Sequence, residues 1–200
     1  MSFTPLPVVI LAAGQSRRMR GSDKLMEDIG GTPLLMHQVA KAVSIGPVYV
    51  TLPPQPHPRW DVVADQNVTC VPVPGAKTSM SASLRAGLAA LPKSTQAAML
   101  LLADLPSLTV QDLTRVAAAV DLDSKTMIWR GSTADGAPGH PVVFRASLFP
   151  KLMQVTGDSG GAEVIKAHKN TTEHVALPLD HARRDLDTPE DWAKWRKDTK

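Results

Sequence analysis

The sequence predicts a three-layer α/β domain, a mostly parallel sheet with helices on both faces. Three observations carry this. Short apolar, β-branched runs alternate with amphipathic stretches along the whole chain. The runs 8–12 and 97–103 are apolar at every position, as strands buried on both faces require. Gly-rich or acidic segments follow the strand ends, where sheets of this kind bind their ligands.

Taken in order, residues 8–12 are the first strand. Thr32-Pro33 reads as a helix start, with Leu34, Leu35, Val39 and Val43 as one apolar face. Residues 48–52 are a second strand, and the proline-rich stretch 53–58 is a stiff surface loop. Residues 68–71 are a third strand; 81–91 form a helix with Leu84, Leu88 and Leu91 on one side. After the strand 97–103 comes a helix at 109–120, capped by Thr109 with Asp112 in its first turn. A strand at 126–129, a loop at 131–139 with three glycines and a short strand at 141–144 follow. Helices are expected at 146–153 and 161–168, and a late strand at 173–177. Thr188-Pro189-Glu190-Asp191 opens the last helix, with Thr as cap, Pro at the first position and acids next. No repeat, linker or low-complexity tract interrupts the pattern, so one domain over residues 1–200 is expected.

Composition narrows the function classes. A chain of 200 residues with 43% hydrophobic content can bury a real core. Four Trp, one Tyr and three Phe are too few aromatics for a base-stacking module. The net charge of +3, from 22 basic and 19 acidic residues, suits a small anionic substrate; without a basic tract no nucleic acid partner is expected. Cys70 is the single cysteine, in an apolar stretch, and the six His lack metal-ligand spacing. Neither a signal peptide nor an apolar run of ~18 residues is present, so no membrane partner is expected and the cytoplasm is the expected compartment.

The densest chemical signal is the loop after the first strand, Leu11-Ala12-Ala13-Gly14-Gln15-Ser16-Arg17-Arg18-Met19-Arg20-Gly21-Ser22-Asp23-Lys24. Small residues let backbone close on a polyanion. Ser16 and the loop N–H groups can donate to it, and Arg17, Arg18 and Lys24 can neutralise it. It lacks both Gly-x4-Gly-Lys-Ser/Thr and Gly-x-Gly-x-x-Gly. At the end of an N-terminal strand, it argues for a nucleoside triphosphate held by its phosphates.

Five further segments carry chemistry. Leu102-Ala103-Asp104-Leu105-Pro106 ends an apolar strand in a carboxylate, a ligand type suited to Mg²⁺ or to capping the next turn. Ser79-Met80-Ser81-Ala82-Ser83-Leu84 places hydroxyls at alternate positions of a helix start. Gly139-His140-Pro141 precedes an apolar strand. In Gly157-Asp158-Ser159-Gly160-Gly161, glycines permit close ligand approach, and Asp158 either faces that ligand or caps the next helix. Asp185-Leu186-Asp187-Thr188-Pro189-Glu190-Asp191 puts Asp185 and Asp187 on one side of an extended segment.

Together, Leu-Ala-Ala-Gly-x-Ser-x-Arg-Met with its following Lys, the Asp-x-Pro at 104–106, the Ser-x-Ser-Leu at 81–84, Gly-His-Pro, Gly-Asp-x-Gly and Asp-x-Asp-Thr-Pro-Glu-Asp resemble the MobA-like NTP transferases, and among them most the molybdenum cofactor cytidylyltransferases. The resemblance runs from Val8 to Trp192. It implies a Rossmann-like nucleotidyltransferase (GT-A-like) fold. It implies CMP transfer from CTP to molybdopterin or its molybdenum-loaded form, with release of pyrophosphate. Arg18, Lys24 and Asp104 are then catalytic. Leu11, Ala12, Ala13, Gly14, Ser16, Arg18, Lys24, Ser81 and Ser83 contact the nucleotide. His140, Asp158 and Gly160 line the acceptor side, and Asp104 and Asp187 hold Mg²⁺. A molybdoenzyme is the expected recipient of the product.

Four features depart from the family pattern. Ala103 and Leu105 replace the usual Gly and Gln around Asp104, Ser79 replaces a Gly, and the segment before Lys24 is one residue longer than usual. Ala13 in place of Gly favours the cytidylyl over the guanylyl relatives. Guanylyl transfer, a sugar-phosphate nucleotidyltransferase and a non-catalytic cofactor chaperone are the alternatives.

Overall fold

The computed structural model describes residues 5–75 and 79–198. Its elements are β1 (Val8–Leu11), β2 (Asp28–Ile29), β3 (Thr32–Pro33), α1 (Leu34–Ala42), β4 (Val48–Leu52), α2 (Arg59–Val63), β5 (Thr69–Pro72), α3 (Met80–Ala89), β6 (Ala97–Leu102), α4 (Val110–Ala118), β7 (Ile128–Ser132), β8 (Pro138–Arg145), α5 (Phe149–Leu152), α6 (Ala162–Ala167), β9 (Thr172–Ala176) and α7 (Pro189–Asp198). Seven strands form one sheet in the order β5-β4-β1-β6-β8-β7-β9. Strands β5, β4, β1 and β6 run parallel, β8 is antiparallel to both its neighbours, and β9 is parallel to β7.

Alternation along β1 sorts the core into two layers. Val8 and Ile10 pack with Leu34, Leu35, Val39, Leu113, Val116 and Trp192, the inward faces of α1, α4 and α7. Val9 points the other way, onto Leu84 and Leu88 of α3 and Val164 of α6. Contact of α3 with the sheet is close enough that a Cβ on Gly87 would collide with Val9. Among the described residues, no helix is long and apolar enough to cross a membrane.

Strand order fixes where a ligand goes. The chain leaves β1 for β4 and β5 on one side, then returns to β6 on the other. Between β1 and β6 the outgoing loops diverge and open a crevice at the strands' carboxyl ends. The loop 12–24 and the turn at Asp104 are the two that meet there.

Local expectations held in kind more than in boundary. Thr32-Pro33 does not begin a helix: it pairs with Asp28–Ile29, and α1 starts at Leu34. The cause is Gly30-Gly31, both at positive φ (62° and 95°), which makes a tight two-residue hairpin that L side chains disfavour. The glycine-rich stretch 131–139 is largely a hairpin, with β7 running to Ser132 and β8 starting at Pro138. Helix α2 at the end of the proline-rich loop is an addition that its single turn of pattern does not reveal.

Candidate active site

The loop after β1 is tied to its own strand first. Ala12 N–H donates to the Thr51 backbone carbonyl (3.1 Å) and hydroxyl (3.3 Å), and the same hydroxyl donates to Ile10 O (3.2 Å). Ala12 and Ala13 are buried. Ser16 takes a left-handed conformation (φ 49°) and opens a short 3₁₀ turn over Arg17–Met19, with Met19 buried as its anchor.

A buried arginine then clamps the loop shut. The Arg59 side chain is 2% exposed. It donates from Nε to Asp23 Oδ2 (2.7 Å), from Nη2 to Asp23 Oδ1 (2.5 Å) and Ser16 Oγ (3.2 Å), and from Nη1 to Ala12 O (2.6 Å). Ser16 Oγ donates to Asp23 Oδ1 (3.1 Å) and accepts from Lys24 N–H (3.3 Å), so this hydroxyl serves the loop. Burial works against the Asp23 charge, but Arg59 outweighs it and holds the carboxyl below its usual range.

The clamp delivers Lys24. Its Nζ lies 2.5 Å from Asp104 Oδ2 and 2.6 Å from Asp187 Oδ1, and Arg18 Nη2 lies 2.6 Å from Asp187 Oδ2. Leu186 N–H donates to Asp104 O (3.1 Å) and knits the two acidic segments together. Burial opposes the Lys24 charge; Asp104, then Asp187, overcome it and raise its pKa above the ordinary lysine value. Asp187 is lowered against burial, chiefly by Lys24. Asp185, raised by burial and then by its hydrogen bond with Asp187, faces Asp187.

Two carboxylates gripping one ammonium mark a position at which a single cation is shared. Asp104 Oδ1 is buried with no hydrogen-bond partner, a costly state for a carboxylate oxygen unless a cation or donor completes it. The donor set is therefore fit for a hard divalent cation. No cluster of three His, Cys, Asp or Glu side chains occurs among the described residues, so the remaining ligands would be phosphate and water.

The cleft around this centre has a volume of about 760 Å³ and is lined by Leu11, Gly14, Ser16, Arg18, Lys24, Ser83, Asp104, Asp158 and Asp187, among others. A second cavity of about 270 Å³ shares Leu11, Met80 and Leu102 with it and is walled by His140, Gly160, Arg130 and Lys166. Ala13 lines a third, with Gly14, Pro53, Pro54 and Gly75. Ala12 lines none of these cavities, nor does Ser81, which is buried with its hydroxyl unpartnered. Asp158 Oδ1 accepts from Met80 N–H (3.2 Å) and so ties its own loop to α3. The His140 ring keeps an unpartnered, buried Nδ1; burial, with help from Arg130, pushes its pKa down to about 4, so it is neutral at neutral pH.

Arg59 and Arg130 were absent from the sequence-based site. Arg59's signal was a basic residue on the inward phase of a short segment packed against the core. Arg130 offered none, being one polar residue in a strand.

Known proteins resemble this chain over most of its length. The family model described as "MobA-like NTP transferase domain" matches residues 8–172. The chain is 28% identical over 193 residues to the bifunctional protein GlmU of Micrococcus luteus, covering 87% of this chain and only 35% of that protein. It is 26% identical over 189 residues to a probable molybdenum cofactor guanylyltransferase of Trichormus variabilis, covering 94% and 89%. Among solved structures, Rv0371c from Mycobacterium tuberculosis H37Rv superposes with a TM-score of 0.83 at 26% identity, covering 97% and 99%. A manganese complex of Rv0371c superposes at 0.76 and 25% identity, covering 96% and 97%.

Proposed function

Because this chain belongs to the family of MobA-like NTP transferase domains, we propose that it moves CMP from CTP to the phosphate of a molybdopterin-type acceptor and releases pyrophosphate. The observation that carries the reaction type is the Asp104–Lys24–Asp187 cluster at the crevice between β1 and β6. An acceptor phosphate oxygen attacks the α-phosphorus, and the bond to the bridging oxygen of the β-phosphate breaks.

Each residue has a role. Loop N–H groups around Gly14 and the Arg18 and Lys24 cations face the triphosphate. Its oxygens compete with Asp104 and Asp187 for those two cations, so the ion pairs of the free protein exchange partners on binding. Asp104 and Asp187 would then be left to hold Mg²⁺, consistent with the manganese complex of Rv0371c. A divalent cation held by these two carboxylates would supply positive charge to offset that developing on the pyrophosphate. A phosphate monoester is already ionised at neutral pH, so no general base is required. His140, neutral and half-buried on the acceptor side, is suited to contact the acceptor.

The preference for CTP rests on Ala13. Ala13 lines the third cavity, and a methyl there narrows space that a glycine would leave. One methyl is worth roughly 1–3 kcal/mol of discrimination, about 10- to 200-fold. The expected kcat/KM ratio of CTP to GTP, with molybdopterin as common acceptor, exceeds ten, and Ala13→Gly shifts it toward GTP. A ratio at or below one removes the cytidylyl assignment, and the reading becomes the guanylyl transfer named for the Trichormus relative. The GlmU similarity supports a second reading, transfer to a sugar phosphate. Incubation with CTP and either molybdopterin or a sugar phosphate, read as pyrophosphate release, separates the two.

A further inference from the structure

The cavity beside the nucleotide cleft holds a cation with no counter-charge. Arg130 is partly buried in β7 and donates from Nε to Gly139 O (2.9 Å). Among the described residues no carboxylate pairs with it. Burial, and then repulsion from the Arg183 cation, lowers its pKa. Lys166 lines the same cavity from α6. The neighbouring ring, His140, is uncharged at neutral pH and supplies no anion. Apolar walls from Leu84, Leu100, Val142 and Phe144 lower the local dielectric. A half-buried guanidinium that lines a cavity with no carboxylate partner is the group an anionic ligand would pair with.

The nucleotide's phosphates have their own cations, Arg18 and Lys24, in the main cleft. Arg130 lines only the smaller cavity, which joins that cleft along Leu11, Met80 and Leu102. We propose that Arg130, with Lys166 at the rim, is an acceptor-specificity residue that binds a second anionic group, at the end of the acceptor opposite its attacking phosphate. This rests on the nucleotidyltransferase reading above and narrows it. An acceptor charged at both ends fits; molybdopterin, anionic at its dithiolate as well as at its phosphate, is of this kind. A sugar phosphate, which ends in neutral hydroxyls, leaves Arg130 unpaired.

The test uses Arg130→Gln and Arg130→Lys in the full chain. With CTP and molybdopterin, R130Q is expected to raise the acceptor KM about tenfold or more. The CTP KM stays unchanged and kcat at saturating acceptor stays within about threefold, as loss of an equal ground- and transition-state contact requires. R130K recovers most of the affinity. A change in acceptor KM below twofold overturns the proposal.

A second measurement does not depend on the acceptor. Without ligand, R130Q loses the hydrogen bond to Gly139 O, so the comparison is made on the ligand-induced shift in Tm of each protein rather than on Tm itself. Excess inorganic phosphate should then raise the Tm of the unmutated protein more than that of R130Q. Equal phosphate shifts overturn the inference. No pyrophosphate from the unmutated protein with molybdopterin overturns the acceptor reading instead, and the phosphate shifts still decide the role of Arg130.

Discussion

Replacing Asp104 by Asn is expected to lower turnover about a thousandfold or more while leaving the fold intact. The magnitude follows from removing a full charge from a preorganised site, where single neutral donors are already worth about 10²–10³ in kcat. Stability should change little, for structural reasons. The Asp104 backbone carbonyl, not its side chain, joins the two acidic segments through Leu186 N–H. Asp104 Oδ1 has no partner to lose, and Lys24 keeps its pair with Asp187. Initial rates of pyrophosphate release, with far-UV circular dichroism and Tm on the same samples, check this. Near-normal turnover in a folded D104N protein would remove Asp104 from the catalytic centre.

Arg59→Met should be the most destabilising single change in the nucleotide loop. Removing one partner of a buried ion pair costs about 3–5 kcal/mol, because the other charge stays behind. Asp23 is 24% exposed and can recover some hydration, so the lower end, about 3 kcal/mol, is expected. For a chain of this size that lowers Tm by roughly 6–12 °C. Arg59→Lys keeps the charge but cannot span Asp23, Ser16 Oγ and Ala12 O at once, and should fall between.

The pH dependence of the same pair has a definite sign. Asp23 is held below the ordinary aspartate value of 3.8 in the folded state. Its contribution is therefore complete above that value and is lost as pH falls through the lower, folded pKa. R59M should lack this part of the acid limb, so the Tm difference between it and the unmutated protein narrows below about pH 4. A constant difference from pH 7 to 3, or equal Tm values at pH 7, contradicts the clamp.

The fold was legible in the sequence where one signal dominated. Strands such as 97–102, buried on both faces, and helix α4, with a complete Thr109–Asp112 capping box, stand out because burial and capping act on contiguous residues. Boundaries shifted where two signals competed, as at Thr32-Pro33, where the preceding Gly30-Gly31 turn prevailed over a proline that suits a helix start. The convergence of Arg18, Lys24, Asp104 and Asp187 was readable as motifs, since each sits at a strand or segment end. What holds them was not. Arg59 is 36 residues from Asp23 and 47 from Ala12 in sequence, and only the packing of α2 under the first loop brings them together. Arg130 has meaning only through what surrounds it, a cavity wall and a second arginine, which no local pattern encodes.

The central claim, in-line nucleotidyl transfer at the Asp104–Lys24–Asp187 centre, is tested most directly by following both ends of the triphosphate. The protein is incubated with Mg²⁺, molybdopterin and CTP labelled at the α- or the γ-phosphate. The γ label should leave as pyrophosphate and the α label should join the acceptor, one for one, and neither should happen without molybdopterin. Release of orthophosphate, or retention of the intact triphosphate while molybdopterin binds, would contradict the account and leave hydrolysis or non-catalytic cofactor carriage in its place.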